Sequence, residues 1–437
     1  MSMTRTPWRN AAVLLLSVGG VVARGQAGAG DWPGPEDGAT LDQYLERAFR
    51  ENPGLKGVRQ EWQAAVERAT QAGALDDPQL SFEQFVEQKD VRWQVALTQA
   101  IPLFGRRGLM KKEAAAEAEA ASHEFEAARL DLYDRVSRAF YDYHLQGRSL
   151  AALEEHERLL ADLEHVTRAR YEAGTARFAD VTKAQVERER TSSEAAALRD
   201  ERRLRSDQLA ALLDLTVYEP LPWPKTSPSA PALPDDAVLF GLIDDLNPEL
   251  KAAQALIEKN RYTEKLARRV GLPDLMLGAG VMSMPGMEGG GDEYDASLMV
   301  GITLPWWRGK NAARRREAAA LAESARNRKA DQRNALTVEL RRAIVMHRDA
   351  ARRVALFRDS LIPKAEQTYE VVRQDFVAGR TDFMDVVDAQ RTLLDFRLSY
   401  ERALVDLELA VVEIGCCIGK YGAELQETLG TPARTGP

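Results

Sequence analysis

The apolar positions of this chain change period several times, and the changes divide it. From Val386 onward, Val386, Ala389, Leu393, Phe396, Tyr400, Ala403, Leu407, Ala410 and Ile414 fall in alternating steps of three and four. That heptad seam predicts a helix committed to a coiled-coil partner. Beside it, Asp385, Asp388, Thr392, Asp395 and Ser399 make a polar stripe, so two carboxylates share one face at the helix start. Just upstream, a helical approach stops at Ala378 and Gly379. Glycine takes a positive φ without strain and suits a sharp turn. Thr381 or Asp382 can cap the next helix. Tyr369 to Tyr400 therefore reads as the tip of a long antiparallel helical hairpin.

The tip occurs twice. ARYEAGTARFADVTKAQVERE, from Ala169, aligns Gly174 with Gly379, Asp180 with Asp385 and Gln185 with Gln390, each pair 205 residues apart. Upstream, ALTQAIPLFGRRG resembles VGITLPWWRGKNA, with Pro102 and Pro305 offset by 203. ENPGLK and LNPELK place Pro53 and Pro248 195 apart. The chain is thus two tandem copies of a unit of roughly 200 residues, and a repeat is strong evidence of architecture.

Each copy predicts the same order of elements. Helices are expected from about Leu41 to Ala74, interrupted or bent near Asn52-Pro53, and from Asp236 to Arg269. The period then drops to two over Leu80 to Ile101 and over Leu275 to Leu304, predicting two strands per copy of about eight to eleven residues, enough to cross a bilayer when tilted. Long helices come next, from about Phe104 to Ala173 and from Lys310 to Ala378 with a bend at Pro363, and return helices reach about Leu215 and Lys420. Between the copies, residues 218–235 hold prolines 220, 222, 224, 228, 231 and 234, a stiff linker. Residues 421–437 read as a polar, poorly ordered tail.

The first 29 residues read as an export signal: Arg5 and Arg9, an apolar core from Ala11 to Ala23, then small residues. No apolar run is long enough for a membrane-spanning helix. A net charge of −8 argues against nucleic acid. Two adjacent cysteines, Cys416 and Cys417, give neither a zinc spacing nor a disulfide framework and read as small packed residues. No phosphate loop, nucleophile elbow or metal-ligand pair points to catalysis. Met282, Met284 and Met287 lie near a glycine-rich strand connection, soft ligands without a site pattern.

Four short strands cannot close a barrel alone, and lipid does not tolerate open edges, so several chains are needed. Three would give twelve strands. The two NP starts, IPLFGRRG and ITLPWWRGK, and the paired tips RYEAGTARFADVTKAQ and DFVAGRTDFMDVVDAQ together resemble the TolC-like family of outer-membrane efflux proteins over essentially the whole mature chain. The resemblance implies a mainly α chain with a small β part, assembled as a homotrimer. A twelve-stranded outer-membrane barrel would sit on a periplasmic helical barrel girdled by the linker and terminal segments. It would be the passive exit duct of a tripartite pump, docking with a periplasmic adaptor and an inner-membrane transporter, with no cofactor.

The resemblance also assigns roles. Asp385 and Asp388 match aspartates that ring the periplasmic mouth, where crowded carboxylates would select cations and drive gating; the plain alternative is acids favoured at a helix N-terminus. Asp180 matches one partner of the links between closed tips. Phe376 stands where a tyrosine is found, and Thr381 where an arginine is found. The turns at Gly174 and Gly379, with Arg170, Tyr171 and Phe376, match adaptor-docking tips. Arg308, Lys310, Arg314, Arg315 and Arg316, and in the first copy Arg106, Arg107, Lys111 and Lys112, either meet headgroup phosphates or simply solubilise a helix. A secreted coiled-coil scaffold or adhesin is the competing reading; it accounts for the heptads but not the strands.

Overall fold

A computed structural model describes residues 39–86, 91–216, 219–225, 233–284 and 293–430; the expected signal segment, linker prolines 228 and 231, and Met287 lie outside them. The first copy comprises α1 (Leu41–Glu51), α2 (Pro53–Gln71), β1 (Gln79–Gln84), β2 (Trp93–Ile101), α3 (Arg106–Glu172) and α4 (Phe178–Leu212). The second comprises α5 (Asp236–Leu246), α6 (Pro248–Arg269), β3 (Leu275–Met284), β4 (Glu293–Ile302), α7 (Arg308–Leu356), α8 (Ile362–Val377) and α9 (Phe383–Ile418), followed by α10 (Gly422–Gly430). With 67 residues, α3 is about 100 Å long.

Each NP motif separates two helices: the first stretch is interrupted at Asn52-Pro53, and the single helix expected from Asp236 to Arg269 is split at Asn247-Pro248. Proline lacks the N–H an interior position needs and suits the first turn. The preceding asparagine caps that turn: Asn52 Oδ1 accepts from Leu55 N at 3.0 Å, and Asn247 Oδ1 from Leu250 N at 3.1 Å. The same side chains reach the end of the return helix. Asn52 Nδ2 donates to Leu212 O at 2.9 Å, and Asn247 Nδ2 to Cys417 O at 3.0 Å. Leu212 and Cys417 are themselves 205 apart. Thus α2 continues the line of α4, and α6 that of α9.

The expected bend at Pro363 is absorbed by a π-helical turn, Phe357–Leu361, directly before α8. A proline ring clashes with the carbonyl four residues back, and a wider turn relieves it. β1 is shorter than expected, at six residues. Residues 422–430 correct the disordered-tail expectation: they form a helix whose Leu425 and Leu429 are buried against α5, α7 and α9. Cys417 is buried and Cys416 half-buried, both as free thiols. Burial, helped by nearby acids such as Glu339 for Cys417 and Asp134 for Cys416, pushes both thiols up, which keeps them protonated and inert.

The strands form one antiparallel sheet in the order β1-β2-β3-β4. Directly paired residues share a face. Leu80, Leu97, Ala279 and Leu298 form one row, and Phe82, Val95, Val281 and Ala296 the next row on that face. The opposite face carries Ser81, Ala96, Gly280 and Ser297. The apolar face is bare: Leu80 is 72% exposed and Leu298 89%. β1 and β4 leave open edges.

Candidate functional site: the paired tips and the open sheet

At the tip of each hairpin a six-residue hydrogen-bonded loop closes the outgoing helix. Thr175 N donates to Arg170 O and Arg380 N to Asp375 O, both at 2.8 Å, and Gly174 and Gly379 both have φ +75°. Each return helix then starts with a capping box. Asp180 Oδ2 accepts from Arg177 N, and Asp385 Oδ2 from Asp382 N, both at 3.3 Å. The Thr381 hydroxyl also donates to Asp385. Asp382, one of the two expected caps, is the N-cap.

The two tips lie side by side. Leu160, Leu163, Ala184, Phe376, Phe383, Val386 and Val387 form a shared core between them. Arg170 clasps it: Nη1 donates to Phe376 O at 2.5 Å, and its guanidinium sits 4.7 Å over the Phe376 ring. That bond adds a charged donor from the first tip to a carbonyl at the end of α8 that also accepts from Gly379 N at 3.0 Å. Phe376 is only 3% exposed, so it supports the tips from within. Asp180 is likewise buried, beside Arg177, whereas Asp385 and Asp388 are exposed. Arg177 also approaches Asp382 of the other tip at 3.7 Å.

Further from the tips, cross-hairpin ion pairs appear that no local pattern announces. Arg391 binds Glu187, Arg397 Nη1 binds Glu155 at 3.1 Å and Arg148 Nη2 binds Glu401 at 2.7 Å. His156, on α3, is buried among them. Burial holds its imidazole below its ordinary value near 6.5; Glu187, Glu194 and Asp395 oppose that, and Arg391 adds to it. The unfolded chain then binds a proton that the folded hairpins resist, so stability should fall as pH drops below about 6.5. His156→Gln should flatten that dependence in thermal melts followed by circular dichroism between neutral and mildly acidic buffer.

The repeat also hides an asymmetry that alignment alone misses. Phe376 and Phe383 of the second tip are buried against the first, with ring centroids 6.1 Å apart. Their counterparts 205 residues earlier, Tyr171 and Phe178, pair at 5.6 Å but are 45% and 64% exposed. Phe178 lies inside the repeated motif and could have been found by asking where its counterpart packs.

Among the described residues no group of three His, Cys, Asp or Glu is placed to hold a metal, and no helix is long and apolar enough to cross a membrane. The exposed apolar face belongs to the sheet. The outer membrane efflux protein family model matches residues 44–214 and 241–419, one match per copy. The chain belongs to that family. The efflux protein is 23% identical over 424 residues to the cobalt-zinc-cadmium resistance protein CzcC of Cupriavidus metallidurans, covering 94% of this chain and 98% of that one. Its fold matches CusC, with a TM-score of 0.75, 16% identity and coverage of 91% and 96%. It also matches the CmeC outer membrane channel of Campylobacter jejuni, with a TM-score of 0.74, 14% identity and coverage of 87% and 85%. It is an efflux channel of the outer membrane, built from an amphipathic sheet and helices that extend into the periplasm.

Proposed function

We propose that three copies close into a passive exit duct for small molecules or metal ions, fed by an inner-membrane transporter through a periplasmic adaptor. The observation that carries this is the sheet: four strands, one apolar face, two open edges. A lone sheet of this kind leaves backbone groups unsatisfied in lipid, and joining β4 of one chain to β1 of the next removes every edge. The tips support the same closure. A neighbouring chain's second hairpin, seated on Tyr171 and Phe178, would bury them as the first hairpin buries Phe376 and Phe383. Asp385 and Asp388 would then crowd six carboxylates around the mouth, with Asp180 holding the adjacent tip. The turns at Gly174 and Gly379, spaced by Arg170 and Phe376, would meet the adaptor. CzcC is named for metal resistance, which makes divalent metal ions the first cargo to try.

The test is single-channel recording in planar bilayers with chemical crosslinking of the same preparation. Discrete conductance steps from a protein that crosslinks to a trimer are expected. A protein that neither inserts nor conducts and stays soluble without detergent would return the scaffold reading.

A further inference from the structure

The two basic clusters beyond the strands are equivalent in sequence but not in space. In the first copy the two arginines are used within the chain. Arg106 Nη1 binds Asp274 at 2.5 Å, and Arg107 Nη2 donates to Gly73 O at 2.6 Å. In the second copy Arg308, Lys310 and Arg314 are exposed, and none has an ion-pair or hydrogen-bond partner for its side chain among the described residues. They stand in the first turns of α7, which carries no acid in its first turn. Cations there gain nothing from the helix dipole, so solubility alone does not account for the placement.

Directly before them stand two exposed indoles, Trp306 (79%) and Trp307 (73%), continuing the exposed apolar row Leu298, Val300, Ile302 and Leu304. At the other end of the same sheet, Trp93 and Tyr294 pair with ring centroids 6.0 Å apart. Tyr294 and Trp306 are twelve residues apart. Over β4 itself, from Tyr294 to Ile302, about 3.3 Å per residue and a tilt near 45° give about 19 Å along the membrane normal, and the turn in which Trp306 N donates to Leu304 O at 2.9 Å places the indoles beyond that span. The aromatic pairs therefore bracket the strand at its two ends, and the unpaired cations lie just beyond the helix-side pair.

We infer that Trp306 and Trp307 with Arg308, Lys310 and Arg314 form a collar that binds anionic phospholipid headgroups of the periplasmic leaflet. This rests on the outer-membrane reading of the sheet. Indoles settle at the headgroup level, and basic side chains beside them add charge recognition. The first copy, with Arg106 and Arg107 engaged internally and Phe104 in place of the indole pair, leaves only lysines at this level and does not form the collar.

Native mass spectrometry of the detergent-purified channel, given phosphatidylglycerol and phosphatidylcholine in equal amounts, tests the collar. Phosphatidylglycerol should be retained preferentially, and each cation removed should lower that preference about five-fold. The variant Arg308→Gln/Lys310→Gln/Arg314→Gln should bind both lipids alike, while Arg328→Gln, farther along α7, should match wild type. Single replacements with graded losses carry the test if the triple variant does not assemble. Equal retention of the two lipids by wild type, or an unchanged preference in the variants, overturns the collar. Failure of the wild type to insert into vesicles would instead overturn the membrane reading beneath it.

Discussion

Gly419→Ala should destabilise the channel more than any other single methyl added at a described glycine with positive φ. Gly419 ends α9 at φ +93°, and a Cβ there would lie 2.8 Å from Pro248 Cδ, 2.9 Å from Leu246 O and 3.0 Å from Asn247 Cα. Two of these three atoms are backbone and the third is a proline ring, so no side chain can swing aside. The left-handed conformation adds about 1 kcal/mol for a residue with a Cβ, and displacing packed backbone about 1–3 kcal/mol more. The displaced segment carries Asn247, which is 1% exposed and ties α6 to the end of α9. Moving it also strands a buried amide. A loss of about 3 kcal/mol is expected, read as a melting midpoint several degrees lower by circular dichroism in detergent. The first copy supplies the control. Asp214, 205 residues earlier, already adopts φ +53°. Asp214→Gly relieves strain while loosening the unfolded chain, so its midpoint should move little. A Gly419→Ala variant that melts with wild type would mean the junction is soft.

The contrast between these two residues shows what a sequence of this kind displays and what it withholds. The heptad seam from Val386 to Ile414 was legible because burial on a long helix repeats often enough to be counted, and Val386, Leu393, Ala403, Leu407, Ala410 and Ile414 are indeed buried. The NP motifs were legible as landmarks, but not as ties to the far ends of α4 and α9, because that bond joins residues 160 and 170 positions apart. Helix α10 was missed because two leucines four apart in a polar stretch are too short a pattern; its partners on α5, α7 and α9 make it fold. At the tips, local chemistry located the turns and caps. The ion pairs of Arg391, Arg397 and Arg148 depend on how one hairpin is rotated against the other, which no window of sequence records. The same rotation decides that Phe376 is core while Tyr171 is surface.

Asp385→Asn with Asp388→Asn should change ion selectivity without loosening the tip. Both carboxylates are exposed, and the Asp388 side chain, 67% exposed, has only Arg391 at 3.7 Å as a counter-charge among the described residues. Arg391 is also engaged by Glu187, so the charge of Asp388 is poorly neutralised. Asp385 has a second task, accepting from Asp382 N and from the Thr381 hydroxyl at the start of α9. Alanine there would remove the cap along with the charge, at a cost of about 1 kcal/mol, and a wider pore could then reflect a frayed helix. Asparagine keeps an acceptor and removes only the charge. With three chains the double variant removes six negative charges from the mouth, and the ratio of cation to anion permeability should fall several-fold at low salt. The difference should shrink as salt is raised, because charges are screened within about 10 Å at 0.1 M. Asp180→Asn, at the buried equivalent of Asp385, should leave selectivity alone and instead weaken the Arg177 contacts that hold the neighbouring tip. If the double variant keeps wild-type selectivity while Asp180→Asn abolishes it, the mouth is lined by the first hairpin, and the acidic ring belongs there.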